Sequence, residues 1–220
     1  MNIDTSKLKS THWSELLLQM YSSSDCYNYA RTISYKEFWS TCPRGDWLLF
    51  FAAKEGSTTH KLIVKAACQC ARLSLPYVKK GDLRPRQAIE ITELWLEDKA
   101  TIEEVKLAAH AAYADATNVY AANPAAYSAY YASYASASAS AAYAYAYFAA
   151  DAATAATDVA YATASYTDYI TSAAAYAAAN TSAVKKEMQQ KTADIVRSII
   201  PMPTQAVNEF ERLVKMKAFW

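Results

Sequence analysis

A chain of 220 residues with a formal net charge of +1 is long enough for one generous domain or two small ones. Three glycines leave little room for a loop that cradles phosphates, and no GxSxG, Walker or dinucleotide-binding motif occurs. The near-neutral total hides an asymmetry: residues 108–183 carry four Asp and no Lys, Arg or Glu, which leaves +5 for the rest, never in a run long enough for a nucleic-acid-binding arm.

Cys26, Cys42, Cys68 and Cys70 are too few and too irregularly spaced for a secreted disulfide scaffold. The opening Met1–Lys7 lacks the apolar stretch of a signal peptide, and no run of 18 strongly apolar residues follows. The expectation is a reduced, soluble protein of the cytoplasm (the host cytoplasm if the gene is carried by a phage), with no membrane contact and no nucleic-acid partner.

Helix signals recur along the chain. Ser34-Tyr35-Lys36-Glu37 is a capping box, in which a hydroxyl and a carboxylate satisfy each other's backbone amides. Asp46 precedes the apolar run Trp47–Ala53, and Gly56 follows it, so Asp46 reads as an N-cap and Gly56 as a C-terminal stop. Thr58 or Thr59 opens the next helix, which runs through Leu62-Ile63-Val64 to Leu73 and is broken by Pro76. After a turn at Lys79-Lys80-Gly81-Asp82, Pro85 suits the first turn of a helix carrying Ala88, Ile89, Ile91, Leu94, Trp95 and Leu96. Thr101-Ile102-Glu103-Glu104 is a second capping box, which launches the helix that enters the alanine-rich zone.

That zone, residues 108–183, holds 35 alanines and 13 tyrosines among 76 residues, with one proline. Alanine is the best helix former, so the tract reads as helix broken at Asn123-Pro124. The stretch from Ala125 to Asn180 reads as two antiparallel helices turning near Asp151–Asp158 or Thr163–Asp168, the alternative being one helix of roughly 80 Å. Tyr113, Tyr120, Tyr127 and Tyr134 fall seven apart, so their rings line one seam between walls of alanine. The seam reads as core; the alternative is a groove that presents tyrosines to a partner, tyrosine being common at interface hot spots. Lys185–Ile199 returns to ordinary amphipathic composition, Pro201 and Pro203 stop it, and Thr204 caps a last helix through Phe210, Leu213 and Val214.

No alternating strand pattern of convincing length occurs. The expected fold is therefore all-α: a single domain over 1–220, a compact multi-helix bundle with short connecting loops. Residues 1–100 supply the N-terminal helices, 101–183 the Ala/Tyr-rich helical core and 184–220 the C-terminal helices.

Little in the chain points to catalysis. His12, His60 and His110 form no metal-binding pattern, and Cys68-Gln69-Cys70 on a helix points its thiols about 200° apart. Cys42 stands before a turn and a helix start but has no implied base. The threonines at 154, 157, 163, 167 and 171 keep no 11-residue spacing, which argues against an ice-binding helix. No catalytic residue, metal site or cofactor is therefore assigned.

Two clusters carry more recognition chemistry than packing needs. Arg44, Asp46 and Trp47 gather charge and an indole in one turn. Arg84, Arg86 and Glu90 open a helix, with Arg86 and Glu90 four apart on one face; the plain reading is a local ion pair of a few tenths of a kcal/mol. The functional reading is that Arg84 and Arg86 grip a carboxylate or phosphate, with Tyr113 and Tyr120 beside them.

The order of several segments resembles the alanine-rich "putative immunity protein" family of bacterial genomes, toxin loci and phages. The resemblance rests on Ser24-Asp25-Cys26 with Ala30, the stretch Phe38-Trp39-Ser40-Thr41-Cys42-Pro43-Arg44-Gly45-Asp46-Trp47-Leu48-Leu49, Arg84–Glu90, Ala100–Glu104, the Ala/Tyr tract, and Ala193–Pro201. It implies a non-enzymatic helical inhibitor that neutralises a toxin or defence protein by direct binding, and it leaves room for a homo-oligomer. The alternative is a phage-type counter-defence sponge, in which Arg84, Arg86, Lys79 and Lys80 hold the phosphates of a small nucleotide signal and Trp47 or a tyrosine stacks on its base.

Overall fold

A computed structural model describes residues 3–4, 6, 10–20, 22–78, 81–117 and 174–217, with the side chains of 77, 113–117, 174–182, 184 and 217 left out. Among the described residues the secondary structure is helical and no strand occurs. The helices are α1 (Glu15–Gln19), α2 (Ser24–Ala30), α3 (Tyr35–Thr41), α4 (Gly45–Glu55), α5 (His60–Arg72), α6 (Arg84–Leu96), α7 (Ile102–Thr117), α8 (Ala174–Ile199) and α9 (Gln205–Lys217), with a 3₁₀ turn at Leu75–Tyr77 between α5 and α6.

The local stop and start signals work as expected. The Ser34 hydroxyl accepts from the Glu37 amide at 3.2 Å. The second box closes in both directions: the Glu104 amide donates to Thr101 Oγ1 at 3.3 Å, and the Thr101 amide donates to Glu104 Oε2 at 2.7 Å. Gly56 ends α4 with φ +91°, a left-handed conformation that glycine adopts without a Cβ clash. Thr59 is the residue before α5, and Pro85 lies in the first turn of α6. The amphipathic segment at Lys185–Ile199 proves continuous with the end of the alanine tract: both lie in α8, 26 residues long.

α4 occupies the middle of the described helices. It packs against α8 and α5; α5 in turn packs against α6 and α8, and α6 against α7, while α1 contacts α2 and α9. Every residue from Leu48 to Ala53 is buried, as expected of a helix that is apolar on all sides. Around it lie Leu16 and Leu17 of α1, Phe38 of α3, Ile63 and Val64 of α5, Ile89 of α6, and Phe210 of α9, all at 0% exposure. Trp13, Tyr35, Phe38 and Phe51 form an aromatic cluster, with Trp13 5.1 Å from Phe38 and 5.2 Å from Tyr35 in tilted or edge-on contact. Residues 118–173 of the expected Ala/Tyr core, with Tyr120 and the proposed break at Asn123-Pro124, lie outside the described residues, as do both proposed turns within 125–180.

Three tertiary contacts to the C-terminal helices hold α4 in place, and none has a sequence signature. A Cβ added to Gly45 would meet the Thr192 backbone carbon and Oγ1 at 2.6 Å, so the first turn of α4 presses directly onto α8. Arg197 of α8 donates one guanidinium nitrogen to the carbonyls of Cys42 at 2.8 Å and Trp39 at 3.3 Å, satisfying orphan acceptors at the end of α3. The buried carboxylate of Glu55, at the far end of α4, accepts from the Ala206 amide at 2.7 Å and so caps the start of α9.

Candidate functional site

Only three residues, Cys42-Pro43-Arg44, link α3 to α4, so the end of one helix and the start of the next are locked together. Arg197 fixes the first half of that link and the Gly45–Thr192 contact fixes the second. Arg44, the residue before α4, has extended backbone (φ −105°, ψ 101°).

The expected N-cap role of Asp46 is corrected here. Arg44 is the capping residue, and no side chain caps the helix. Asp46 lies in the first turn, where its carboxylate is engaged by Arg44: Nε donates to Oδ1 at 2.8 Å and the terminal nitrogen to Oδ2. This two-pronged, charge-assisted pair outweighs a single amide–carboxylate cap, and the charge still sits favourably at the positive end of the helix. Its hydrogen bonds raise the pKa of Arg44 above the ordinary guanidinium value, against the opposing effect of burial.

The same guanidinium lies 4.6 Å from the ring centre of Trp47, close enough for a cation–π contact. The indole also meets Tyr29 of α2, with ring centres 5.8 Å apart in tilted contact. Arg44, Asp46, Trp47 and Tyr29 therefore form one pre-formed aromatic and ionic edge, with the side chain of Arg44 30% exposed. Tyr29 had no signal in the sequence, because its partner is 18 residues away on another helix.

The second cluster is arranged differently from expectation. Arg84 is held by its neighbour Asp82, whose Oδ1 accepts from Nε and whose Oδ2 accepts from the terminal nitrogen, both at 2.9 Å. Asp82 Oδ1 also accepts the Arg84 amide at 3.1 Å, so Asp82 serves the start of α6. Arg86 and Glu90 are both exposed, and the expected ion pair between them is not formed. The order explains this, since an acidic residue four positions before a basic one makes the better helical pair than the reverse. α4 packs on α8 and α5, and α6 on α5 and α7, so α5 is the helix that the two clusters' elements share. Tyr113 lies on α7 with its side chain outside the described residues, and Tyr120, Lys79 and Lys80 lie wholly outside them.

The cysteines offer no nucleophile. All four are free and buried. Burial lifts the Cys42 thiol to about 11, and it pushes Cys26, Cys68 and Cys70 higher still, so thiolate is scarce near neutral pH. Among the described residues no group of three or more His, Cys, Asp or Glu could hold a metal ion, and no helix is long and apolar enough to cross a membrane.

Arg197 is the residue that sequence reasoning missed at this site. With 17% of its side chain exposed, it spans two carbonyls while its other terminal nitrogen donates to Asp194 at 2.7 Å. Arg197→Met keeps the stem but removes every donor, and should cost about 1–2 kcal/mol in urea denaturation. Arg197→Lys, which lacks the planar fork, should recover only part of the loss.

Residues 54–146, rather less than half of the chain, match the family model described as Imm-5 like putative immunity protein. The resemblance to the alanine-rich immunity group is thus borne out over that stretch, which contains α5, α6 and α7 and suggests an immunity-like function. The Arg44–Trp47 edge lies just before it. No curated protein and no solved structure matches the chain.

Proposed function

We propose that this protein is a non-enzymatic immunity-like inhibitor, which neutralises a toxin or defence protein in the cytoplasm by binding it directly. The observation that carries this reading is the family match over residues 54–146. Inhibition of this kind needs a shaped, pre-ordered surface rather than a catalytic constellation.

The recognition edge we assign is Arg44, Asp46 and Trp47 with Tyr29. Trp, Tyr and Arg dominate interface hot spots. Here Arg44 is already held by Asp46 and laid over the indole, so docking loses little side-chain freedom. Arg84, Arg86 and Glu90 contribute, on this reading, as a separate patch on α6. The nucleotide-sponge alternative has weaker support: Arg84 is engaged by Asp82, and one contact of the Trp47 ring is already taken by Arg44.

The test is co-expression with the protein encoded by the adjacent gene, followed by affinity measurement. Wild type should bind with a Kd below about 1 µM, and Trp47→Ala or Arg44→Gln should weaken binding at least about 30-fold, the hot-spot range. Native-like circular dichroism of each variant keeps folding separate from binding. Absence of binding by wild type would sink the reading, and undiminished binding by both variants would remove the edge from it.

A further inference from the structure

The exposed face of α6, which includes Arg86 and Glu90 of the patch assigned above, has a property that the packing of the described residues does not use. Leu83, Gln87, Glu90 and Leu94 follow the spacing i, i+4, i+7, i+11 and so stand on one side of the helix, with Arg86 at its margin. Ala88, Ile89 and Thr92, on the opposite side, are fully buried. Leu83 is 58% and Leu94 42% exposed, and Arg86, Gln87 and Glu90 are exposed between them. A single exposed leucine needs no explanation. Two leucines bracketing an exposed Arg–Glu couple make a pattern.

That pattern is self-complementary. Leu83 and Leu94 stand equally far from the midpoint between Ala88 and Ile89, and Arg86 and Glu90 flank Ala88. Laid antiparallel on a second α6 about a two-fold axis near that midpoint, Leu83 meets the Leu94 of the other copy, and Arg86 meets the other copy's Glu90 to within about one residue's rise, roughly 1.5 Å. The two-fold axis repeats both contacts, as isologous interfaces require. Antiparallel helices crossing at about 20° stay in contact over this length. Along its own helix the Arg86–Glu90 pair has the less favourable order and is not formed, so both charges remain for a partner. Of the charges near this face, Arg84 is engaged by Asp82, and Arg72, whose field Glu90 feels, pairs with Glu93 through two hydrogen bonds.

We propose that this face of α6 pairs with a second copy of the same chain, giving a weak antiparallel dimer held by two Leu83–Leu94 contacts and two Arg86–Glu90 ion pairs. One helix face buries less than the roughly 1,200 Å² of a stable interface, so association should be concentration-dependent. The charge pairs set which surfaces meet and the leucines supply the attraction.

Sedimentation equilibrium of the full chain from about 10 µM to about 1 mM tests this, the range in which small interfaces dissociate. Wild type should move from monomer towards dimer. Arg86→Glu and Glu90→Arg should each weaken dimerisation at least about tenfold, by placing like charges opposite one another. The double variant Arg86→Glu/Glu90→Arg should restore it, and an equimolar mixture of the two single variants should form a heterodimer that neither forms alone. All these positions are exposed, so the variants should fold as wild type does. A chain that stays monomeric throughout overturns the proposal, as does a dimer that both single variants leave intact. These readouts use no toxin, so their outcome is independent of the inhibitor reading.

Discussion

Gly45→Ala should lower the stability of the chain by about 3 kcal/mol, at the upper end of what overpacking costs. For a protein of this length that corresponds to a fall in Tm of roughly 6–12 °C. The sign makes the test sharp. Inside a helix, alanine is favoured over glycine by about 1 kcal/mol, so propensity alone predicts a gain. The contact with α8 predicts a loss, because the new methyl would fall 2.6 Å from the Thr192 backbone carbon and 2.7 Å from its Cβ. Thr192 cannot swing aside cheaply: it is 1% exposed, and its hydroxyl donates to the Gln189 carbonyl at 2.7 Å. Its carbonyl also faces the buried Cys70 thiol of α5 at 3.8 Å, so α4, α5 and α8 meet at this point.

The companion variant Thr192→Ala removes Oγ1 but leaves Cβ and the backbone carbon where they are. Gly45→Ala/Thr192→Ala should therefore be less destabilised than the sum of the single variants, with a coupling of about 0.5–1 kcal/mol, yet remain well below wild type. A Gly45→Ala protein as stable as wild type in thermal and urea denaturation would rule out a tight α4–α8 contact at this position. The same substitution should blunt binding by the Arg44–Trp47 edge, since the residue it displaces lies between Arg44 and Asp46.

The contrast between Gly45 and Gly56 shows what the sequence carries and what it conceals. Gly56 follows an apolar run, and its role at the end of α4 depends on neighbours within a few residues, so it is legible. The boxes at Ser34–Glu37 and Thr101–Glu104 are legible for the same reason. Gly45 depends on a residue 147 positions later, and nothing around it announces that. Arg197, whose acceptors are more than 150 residues earlier, is equally silent. Asp46 was misread because a local rule met a stronger local competitor: the N-cap preference assumes that the carboxylate is free, and Arg44 two positions earlier claims it. The cluster at Arg44–Trp47 was visible as composition, but its tilted ring contact with Tyr29 requires α2 to lie beside the start of α4.

Glu55 gives the second large effect, and it depends on the same kind of distant pairing. This residue ends α4 and is 2% exposed, a costly place for a carboxylate unless its oxygens are satisfied. They are: Oε1 accepts the Ala206 amide at 2.7 Å, and Oε2 accepts the Ser57 amide at 2.8 Å and the Ser57 hydroxyl. One side chain thus closes the turn after α4 and caps the first turn of α9, where the helix dipole favours negative charge. Tyr35 reinforces the junction by donating its hydroxyl to the Pro203 carbonyl; burial first, and the charge of Glu55 second, push that phenol's pKa well above its usual value. Glu55→Ala strands the buried Ala206 amide, releases both Ser57 donors and opens a cavity, and should cost about 3 kcal/mol. Glu55→Gln fills the same volume but retains only one carbonyl acceptor and turns an amide towards the donors, for an expected loss of about 2 kcal/mol. The loss should also be local before it is global. Hydrogen exchange at the amides of Val207 and Phe210 should accelerate more in Glu55→Gln than exchange at Leu48 to Phe51, because the start of α9 loses its cap while the middle of α4 keeps its packing. Equal acceleration at both sites would show that Glu55 supports the whole core rather than the α4–α9 junction, and unchanged stability in both variants would remove it from the junction altogether.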